Sequence, residues 1–350
     1  MDRPKVVVVG YGFAGRCFHS YLVGLADGLE LYGIVTSRPE AQQQIRQNLG
    51  VKTFATFAEA LADNRVDLIV LATPNDLHAQ YAVRAMEAGK HVVTDKPMCL
   101  TLEEADRMIA ASRKHDRLLS VFQNRRWDGD FLTVRQILDQ DLLGDLFQLE
   151  LFWGQYGPPG GWRGQSAHGG GKFFDLGAHL IDQALQLVLS PVERVYARFH
   201  QDLLDSDIED NAHCIISFAN GVEAHIGTSS LARHSKPRWY AMGTQGTLVK
   251  EGIDPQERAM IAGDIDSAQE DPAHYPRLHL AAAGQPAEMT LQTIPGRWRS
   301  FYENIAARLR GDAELAVTPE SVRAVMTVIR AAQQSAASGQ AVELEGVSGA

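Results

Sequence analysis

Cysteine and long apolar runs are scarce in this chain of 350 residues. Its three cysteines, Cys17, Cys99 and Cys214, are scattered along the sequence, which fits a reducing compartment and excludes a disulfide framework or a cysteine zinc site. Even the longest purely apolar runs are short, such as residues 6–9. A membrane span needs about 20 apolar residues, and the apolar region of a signal peptide needs at least about 7. We therefore expect a cytoplasmic protein with no membrane partner.

Positive charge is also in short supply. The sequence has 33 Lys and Arg residues against 43 Asp and Glu residues, which gives a formal net charge of -10. A nucleic-acid partner requires a basic face, so we expect none, although this balance permits a local basic pocket for one small anion. Glycine is in slight excess, with 31 residues, and its placement is more informative than its number.

Two patterns alternate along the first 122 residues. Short runs rich in valine, isoleucine and leucine are separated by segments with helical spacing, and Thr101 followed by Glu104 forms a capping box before one of them. Apolar strands alternating with amphipathic helices are typical of a parallel sheet covered on both faces. We predict that residues 1–122 form a Rossmann-type, doubly wound α/β domain. The apolar runs lie at 5–9, 31–36, 67–72, 91–94 and 118–122.

The pattern changes in residues 123–350, where alternating segments dominate. Asn220-Gly221 is a hairpin turn signal between two of them, and residues 252–296, rich in Asp, Pro, Gly and Ala, are predicted to be irregular. We predict a second, α+β domain with an open, mostly antiparallel sheet. Its predicted strands lie at 146–153, 192–200, 212–218, 221–229 and 238–249, and its helices at 128–140, 174–189, 297–310 and 318–336.

A glycine motif directly follows the first predicted strand. It reads G-Y-G-F-A-G over Gly10, Tyr11, Gly12, Phe13, Ala14 and Gly15. Between a strand and a helix, this motif is a dinucleotide fingerprint. Gly10 permits a tight turn, Gly12 lets the backbone approach a pyrophosphate, and Gly15 lets the helix pack on the sheet. The alternative is a tight strand–helix turn that binds no ligand.

The end of the second strand indicates which dinucleotide binds. An NAD site usually has Asp or Glu there, but this sequence reads Thr36-Ser37-Arg38. Hydroxyls and a guanidinium suit a 2'-phosphate, which a carboxylate would repel. We therefore favour NADP over NAD, with Ser37 and Arg38 as ligands. The alternative is an ordinary loop arginine paired with Glu40.

Two further motifs carry candidate catalytic groups. Asp95-Lys96-Pro97 follows the strand at 91–94, and strand ends face the ligand crevice in a doubly wound sheet. In the second domain, Asp175, His179 and Asp182 share one face of a predicted helix, where imidazole and carboxylate can transfer a proton. A divalent metal site, or a hydrogen-bond network without chemistry, are the alternatives for that face.

Taken together, these motifs resemble the glucose-fructose oxidoreductase, inositol dehydrogenase and rhizopine catabolism (Gfo/Idh/MocA) family. The resemblance rests on V-V-V-V-G-Y-G-F-A-G at 6–15, T-P-N-D-L-H at 73–78, A-G-K-H-V-V-T-D-K-P at 88–97 and G-G-G-K-F-F-D-L-G-A-H-L-I-D at 169–182. Residues 123–131 are similar to the branch containing NADP-dependent scyllo-inositol dehydrogenases.

The resemblance implies hydride transfer without a metal. It makes His179 the general acid/base, Lys96 the group that polarises the reacting oxygen, and Asp175 the group that orients substrate hydroxyls. It also places Thr73, Pro74, Asn75 and His78 beside the ribose and nicotinamide of the cofactor. Asp95 replaces the family's usual glutamate and is one methylene shorter, so its expected contact with the ribose is in doubt.

Aromatic and polar residues near these motifs suit a polyol, cyclitol or sugar substrate. The candidates are Arg126, Trp127, Tyr156, Trp162, Arg163 and His168, together with Asp175 and His179. A scyllo-inositol-type dehydrogenase is the first hypothesis and an aldose or deoxysugar dehydrogenase the second. A non-catalytic NADP-binding sensor and a metal-dependent lyase or hydrolase are the other hypotheses. The resemblance also favours a homodimer or homotetramer.

Overall fold

The computed structural model describes residues 3–157, 160, 164–165, 170–201, 207–282 and 285–349. The chain divides into two compact units, Met1–Asn124 with Trp298–Arg323, and Arg125–Arg297 with Ala324–Ala350. The first boundary lies two residues from the predicted one. The segment Trp298–Arg323 belongs to the first unit, whereas the prediction placed it in the second domain. Its Phe301 and Tyr302 are buried and pack on Phe122, with ring centroids 5.1 and 5.8 Å apart.

Six parallel strands form the sheet of the first unit, in the order β3-β2-β1-β4-β5-β6. Valines of β1 and all four residues of β4 are buried, as expected for strands covered on both faces. The order and direction confirm the predicted doubly wound sheet. The strands are β1 Lys5–Val9, β2 Glu30–Val35, β3 Lys52–Phe54, β4 Leu68–Leu71, β5 His91–Thr94 and β6 Leu119–Val121.

The capping box predicted at Thr101 and Glu104 is present in the first unit. Thr101 Oγ1 accepts the Glu104 N–H at 3.2 Å, while the Glu104 carboxylate accepts the Leu100 N–H at 3.0 Å, so the predicted cap does start a helix. The helices are α1 Tyr21–Leu25, α2 Pro39–Leu49, α3 Phe57–Ala62, α4 His78–Glu87, α5 Leu102–His115 and, later in the chain, α9 Arg299–Arg310. Helix α1 continues a π-helical segment, Ala14–Ser20.

Nine strands form the sheet of the second unit, in the order β14-β13-β12-β11-β7-β10-β9-β8-β15. Only the β7–β10 pair is parallel among the described pairs, which confirms the predicted, mostly antiparallel sheet. The strands are β7 Leu146–Gly154, β8 Val192–His200, β9 Asn211–Phe218, β10 Glu223–Ser229, β11 Trp239–Gly243, β12 Gly246–Lys250, β13 Arg277–Ala282, β14 Gln285–Thr290 and β15 Val342–Val347.

The prediction of an irregular segment at 252–296 is wrong. This segment contains helix α8, Gln256–Ile261, and the hairpin of β13 and β14. Most side chains of β14 are exposed, so this strand has no alternating apolar pattern to reveal it. In β13, Leu278 and Leu280 do alternate with polar residues, over a stretch too short to outweigh the composition around it. The remaining helices are α6 Gly129–Asp139, α7 Ala178–Leu187 and α10 Pro319–Ser338. No helix in the described part of the chain combines the length and apolar character that a membrane span needs.

Candidate active site

Two of the three glycines in the glycine loop have no room for a side chain. Gly10 has a φ of +100°, and a Cβ on it would collide with the Ala72 carbonyl oxygen. A Cβ on Gly15 would collide with the Gly10 carbonyl oxygen, whereas the space beside Gly12 is open to 4 Å. The helical segment that follows presents its N-terminal amides at this loop. The loop therefore fits the dinucleotide that the sequence predicts.

A cavity of about 350 Å³ adjoins this loop. Arg38 donates from Nη2 to the Tyr11 carbonyl oxygen at 2.7 Å, which places its guanidinium over the loop. Arg16, which sequence reasoning missed, lines the same cavity, as does Glu40. The only signal for Arg16 was its position directly after Gly15, in the helix that the loop starts. Two guanidiniums against one carboxylate leave this cavity suited to an anion.

His78 connects two loops of the first unit. Its side chain is fully buried, with Nδ1 2.9 Å from the Pro97 carbonyl oxygen and Nε2 3.0 Å from the Thr73 carbonyl oxygen. Burial lowers the pKa of His78. The loop of Thr73, Pro74 and Asn75 is thereby held against the turn that bears Lys96. The predicted cofactor contacts of the loop stay predictions.

The Asp95 carboxylate turns back into the protein. Its Oδ1 accepts the Lys96 N–H at 2.8 Å, and its Oδ2 lies 3.4 Å from Nε2 of the buried His19. Burial on its own would raise the pKa of Asp95, but the nearby His19 and Lys96 hold that pKa below its ordinary value. Lys96 itself is half-buried at the carboxyl end of β5.

In the second unit, Asp175 and His179 lie on consecutive helical segments. A π-helical segment, Phe173–Gly177, leads into α7, and such π turns recur at functional sites. His179 is buried and Asp175 half-buried. The structure therefore places these two residues within one continuous helical stretch of the second unit.

Asp182, which was predicted to share a helix face with Asp175 and His179, forms an ion pair with Arg126. Its Oδ2 and Oδ1 accept from Nε and Nη2 of Arg126 at 2.9 and 2.6 Å, and both side chains are buried. This bidentate pair compensates both charges within the protein. Among the described residues, no group of three His, Cys, Asp or Glu side chains could hold a metal ion. The pair also gives Arg126, a predicted substrate contact, an internal partner.

The aromatic candidates differ in their accessibility. Tyr156 is 55% exposed, with the Arg233 guanidinium carbon 3.8 Å from its ring centroid. Trp127 is half-buried, and its carbonyl oxygen accepts the Arg297 N–H at 2.9 Å. Trp162, Arg163 and His168 lie outside the described residues, so their predicted substrate contacts stay predictions.

Lys172 is a second residue whose role sequence reasoning missed. The side chain is buried, and its Nζ donates to the carbonyl oxygens of Gln155, Ser229 and Gly157 at 3.2, 3.1 and 3.4 Å. Burial lowers its pKa to about 8. Lys172, three positions before Asp175, therefore ties residues 155–157 to the end of β10.

Comparisons with known proteins show the family and the fold of this chain. A model of the oxidoreductase family with an NAD-binding Rossmann fold matches residues 4–123, and a model of the GFO/IDH/MocA C-terminal domain matches residues 131–249. Among solved structures, the yvaA protein of Bacillus subtilis superposes with a TM-score of 0.92 at 30% identity, over 98% of this chain and 99% of that one. An NAD-binding protein from Listeria innocua gives a TM-score of 0.86 at 32% identity, over 99% of this chain and 98% of that one.

Two curated relatives match nearly end to end. The uncharacterized oxidoreductase YdgJ of Escherichia coli is 35% identical over 341 residues, covering 96% of this chain and 97% of the relative. The scyllo-inositol 2-dehydrogenase (NADP(+)) IolW of Bacillus subtilis is 31% identical over 351 residues, covering 99% and 97%. With both halves matched by family models and the predicted folds present, this chain belongs to the Gfo/Idh/MocA family of oxidoreductases.

Proposed function

We propose that this protein is an NADP-dependent oxidoreductase that interconverts a secondary alcohol and a ketone on a cyclitol, as a scyllo-inositol 2-dehydrogenase does. The observation that carries the cofactor assignment is the cavity beside the glycine loop, which Arg16 and Arg38 line. The support for a cyclitol is the 31% identity to IolW over 99% of the chain.

The glycine loop would hold the pyrophosphate, and Arg38, Arg16 and Ser37 would hold the 2'-phosphate. Bound NADP supplies the carbon that accepts or returns a hydride. A guanidinium binds phosphate through two parallel hydrogen bonds, and a 2'-hydroxyl offers no such pair. Glu40 lies in the same cavity and would reduce the preference for a phosphate, because two anions repel. The two arginines outweigh it.

Three side chains of the protein would handle the substrate. His179 would accept the hydroxyl proton during oxidation and return it during reduction, because an imidazole exchanges protons near neutral pH. Lys96 would donate a hydrogen bond to the reacting oxygen and stabilise the negative charge that develops there. Asp175 would accept hydrogen bonds from neighbouring hydroxyls and so select a polyol.

A substrate panel tests this proposal. Absorbance at the nicotinamide band is followed with NADP and with NAD, across inositols, aldoses and their keto forms. We expect turnover with an inositol and a higher kcat/KM for NADP than for NAD. Turnover confined to aldoses or deoxysugars would replace the cyclitol assignment. Tight NADP binding without turnover of any polyol would replace the enzyme by a cofactor sensor.

Location and assembly are further parts of the proposal. We infer a cytoplasmic homodimer or homotetramer, with the outward face of the second unit's sheet as the contact surface. Tyr196 on this sheet is 41% exposed, and an open sheet that shows an aromatic side chain is commonly covered by a partner. Light scattering after size-exclusion chromatography measures the mass; a monomer at micromolar concentration contradicts the assembly.

A further inference from the structure

A chain of buried side chains lies behind the turn that bears Lys96. We propose that His19, supported by Tyr302, is a positioning residue that holds the Asp95 carboxylate and through it the Lys96 turn. This inference rests on the proposed role of Lys96 in the reaction. His19 follows the glycine loop in the sequence and Tyr302 lies in α9, so neither belongs to the motif that it serves.

The contacts form one continuous line. Tyr302 Oη lies 2.6 Å from His19 Nδ1, and His19 Nε2 lies 3.4 Å from Asp95 Oδ2. Asp95 Oδ1 accepts the Lys96 N–H at 2.8 Å. His19 and Tyr302 are both fully buried. Nε2 of His19 completes no hydrogen bond of good geometry in the described part of the chain, and the Asp95 carboxylate 3.4 Å away is the charged group that faces it.

The direction of the hydrogen bonds follows from the Lys96 end. A backbone N–H can only donate, so Asp95 Oδ1 is an acceptor, and a carboxylate accepts at Oδ2 as well. His19 must therefore carry its proton on Nε2 to face Asp95. Nδ1 is then the acceptor of the hydrogen bond that the Tyr302 hydroxyl donates. Burial raises the pKa of Tyr302 well above its usual value, which keeps that hydroxyl protonated.

The turn is also held from its other side. The Pro97 carbonyl oxygen lies 2.9 Å from Nδ1 of His78, and the Asp95 N–H donates to the Leu71 carbonyl oxygen at 2.9 Å. Polar atoms on both flanks of Lys96 are therefore tied to buried partners. Side chains in such supporting positions fix the geometry of the groups that react.

The short side chain of Asp95 suits this arrangement. One methylene beyond the Cα, its carboxylate reaches the N–H of the very next residue, while its second oxygen faces His19. A glutamate, one methylene longer, would extend past that N–H. The replacement of the family's glutamate by Asp95 thus goes together with a change of task, from a predicted ribose contact to an internal support.

Two isosteric substitutions separate the halves of the chain of contacts. In His19→Gln the amide nitrogen lies near the former Nε2 and keeps a donor toward Asp95, but the acceptor for Tyr302 is lost. In His19→Asn the amide lies near the former Nδ1, so the Tyr302 contact is kept and the donor toward Asp95 is lost. Each variant loses one buried contact, His19→Gln the one to Tyr302 and His19→Asn the one to Asp95. Only His19→Asn removes the donor that faces Asp95.

Kinetics give the first readout. We expect His19→Asn to lower kcat by about tenfold to a hundredfold, the scale of a misplaced catalytic group, with the Kd for NADP within about threefold of wild type. His19→Gln should retain most of kcat. His91→Gln is the control. It removes the acceptor of the Leu118 N–H at the first residue of β5, whereas Lys96 follows the last residue of that strand. Equal kcat losses in the two His19 variants, or losses that appear in the Kd for NADP, overturn the proposal.

A readout without turnover separates this inference from the proposed function. Lysines are labelled by reductive ¹³C-methylation, and the Lys96 NMR signal is assigned by its loss in Lys96→Arg. We expect this signal to shift in His19→Asn and to keep its position in His19→Gln and His91→Gln. An unmoved signal in His19→Asn overturns the inference even if the enzyme oxidises inositols. A moved signal supports it even if every polyol in the substrate panel fails.

Discussion

The Arg126–Asp182 pair offers a direct choice between a substrate contact and an internal support. The sequence suggested Arg126 as a substrate residue, whereas the structure gives it two hydrogen bonds to Asp182. We expect Arg126→Met to leave a carboxylate that is 2% exposed without its cation. Removing one partner of a buried ion pair lowers the free energy of unfolding by about 3–5 kcal/mol. For a unit of this size, that loss lowers Tm by on the order of 10 °C.

Differential scanning calorimetry at pH 7 measures the shift, and a matched double variant controls for the lost packing. In Arg126→Met/Asp182→Leu both charges are gone, so most of the lost stability should return, because the desolvation of a lone carboxylate no longer opposes folding. The arginine is a substrate contact, and our reasoning is refuted, if Arg126→Met keeps the wild-type Tm while raising KM for the polyol.

Three other variants test the remaining assignments. Arg38→Ala should raise the KM for NADP by at least about tenfold, the value of a hydrogen bond to a charged group, and leave the KM for NAD nearly unchanged; equal effects would remove Arg38 from the 2'-phosphate site. Lys96→Met should abolish turnover while fluorescence titration finds NADPH binding nearly intact, and an unchanged kcat would refute its role. Lys172 has a pKa of about 8, below the usual value of a lysine. Between about pH 8 and 10.5 the unfolded chain therefore binds more protons than the folded one, because its Lys172 is still protonated. The free energy of unfolding should rise with pH in that window. Thermal unfolding of Lys172→Met should lack this rise, and the same slope in both proteins would contradict the assignment.

Features that depend on neighbouring residues could be predicted from the sequence. Strands β1 and β4 are continuous apolar runs because both of their faces are covered. The cap of α5 needs only Thr101 and Glu104, three positions apart. The need for glycine at position 15 is also local, because a Cβ there would collide with the Gly10 carbonyl oxygen of the same six-residue loop.

Features that depend on distant partners could not be predicted in this way. Arg126 and Asp182 are 56 positions apart, and His19 and Tyr302 are 283 apart. No periodicity relates such residues, because their proximity follows from the topology of the whole unit. The segment Trp298–Arg323 was placed with its sequence neighbours for the same reason, although its buried partner Phe122 precedes it by far. Strand β14 escaped prediction differently, since its exposed faces carry no apolar signal.

Asp95 shows how these two kinds of information combine. The motif alone identified an aspartate where the family resemblance implies a glutamate, but a departure from a pattern does not say what replaces the missing contact. The structure supplies the partners, Lys96 N–H on one oxygen and His19 on the other. With its oxygens directed at Lys96 N–H and His19, the Asp95 carboxylate is held in its present orientation and is not free to turn toward a ribose hydroxyl. Cofactor affinity in this protein should therefore depend on the glycine loop and Arg38 more than on Asp95, and Asp95→Asn should alter kcat more than the Kd for NADP.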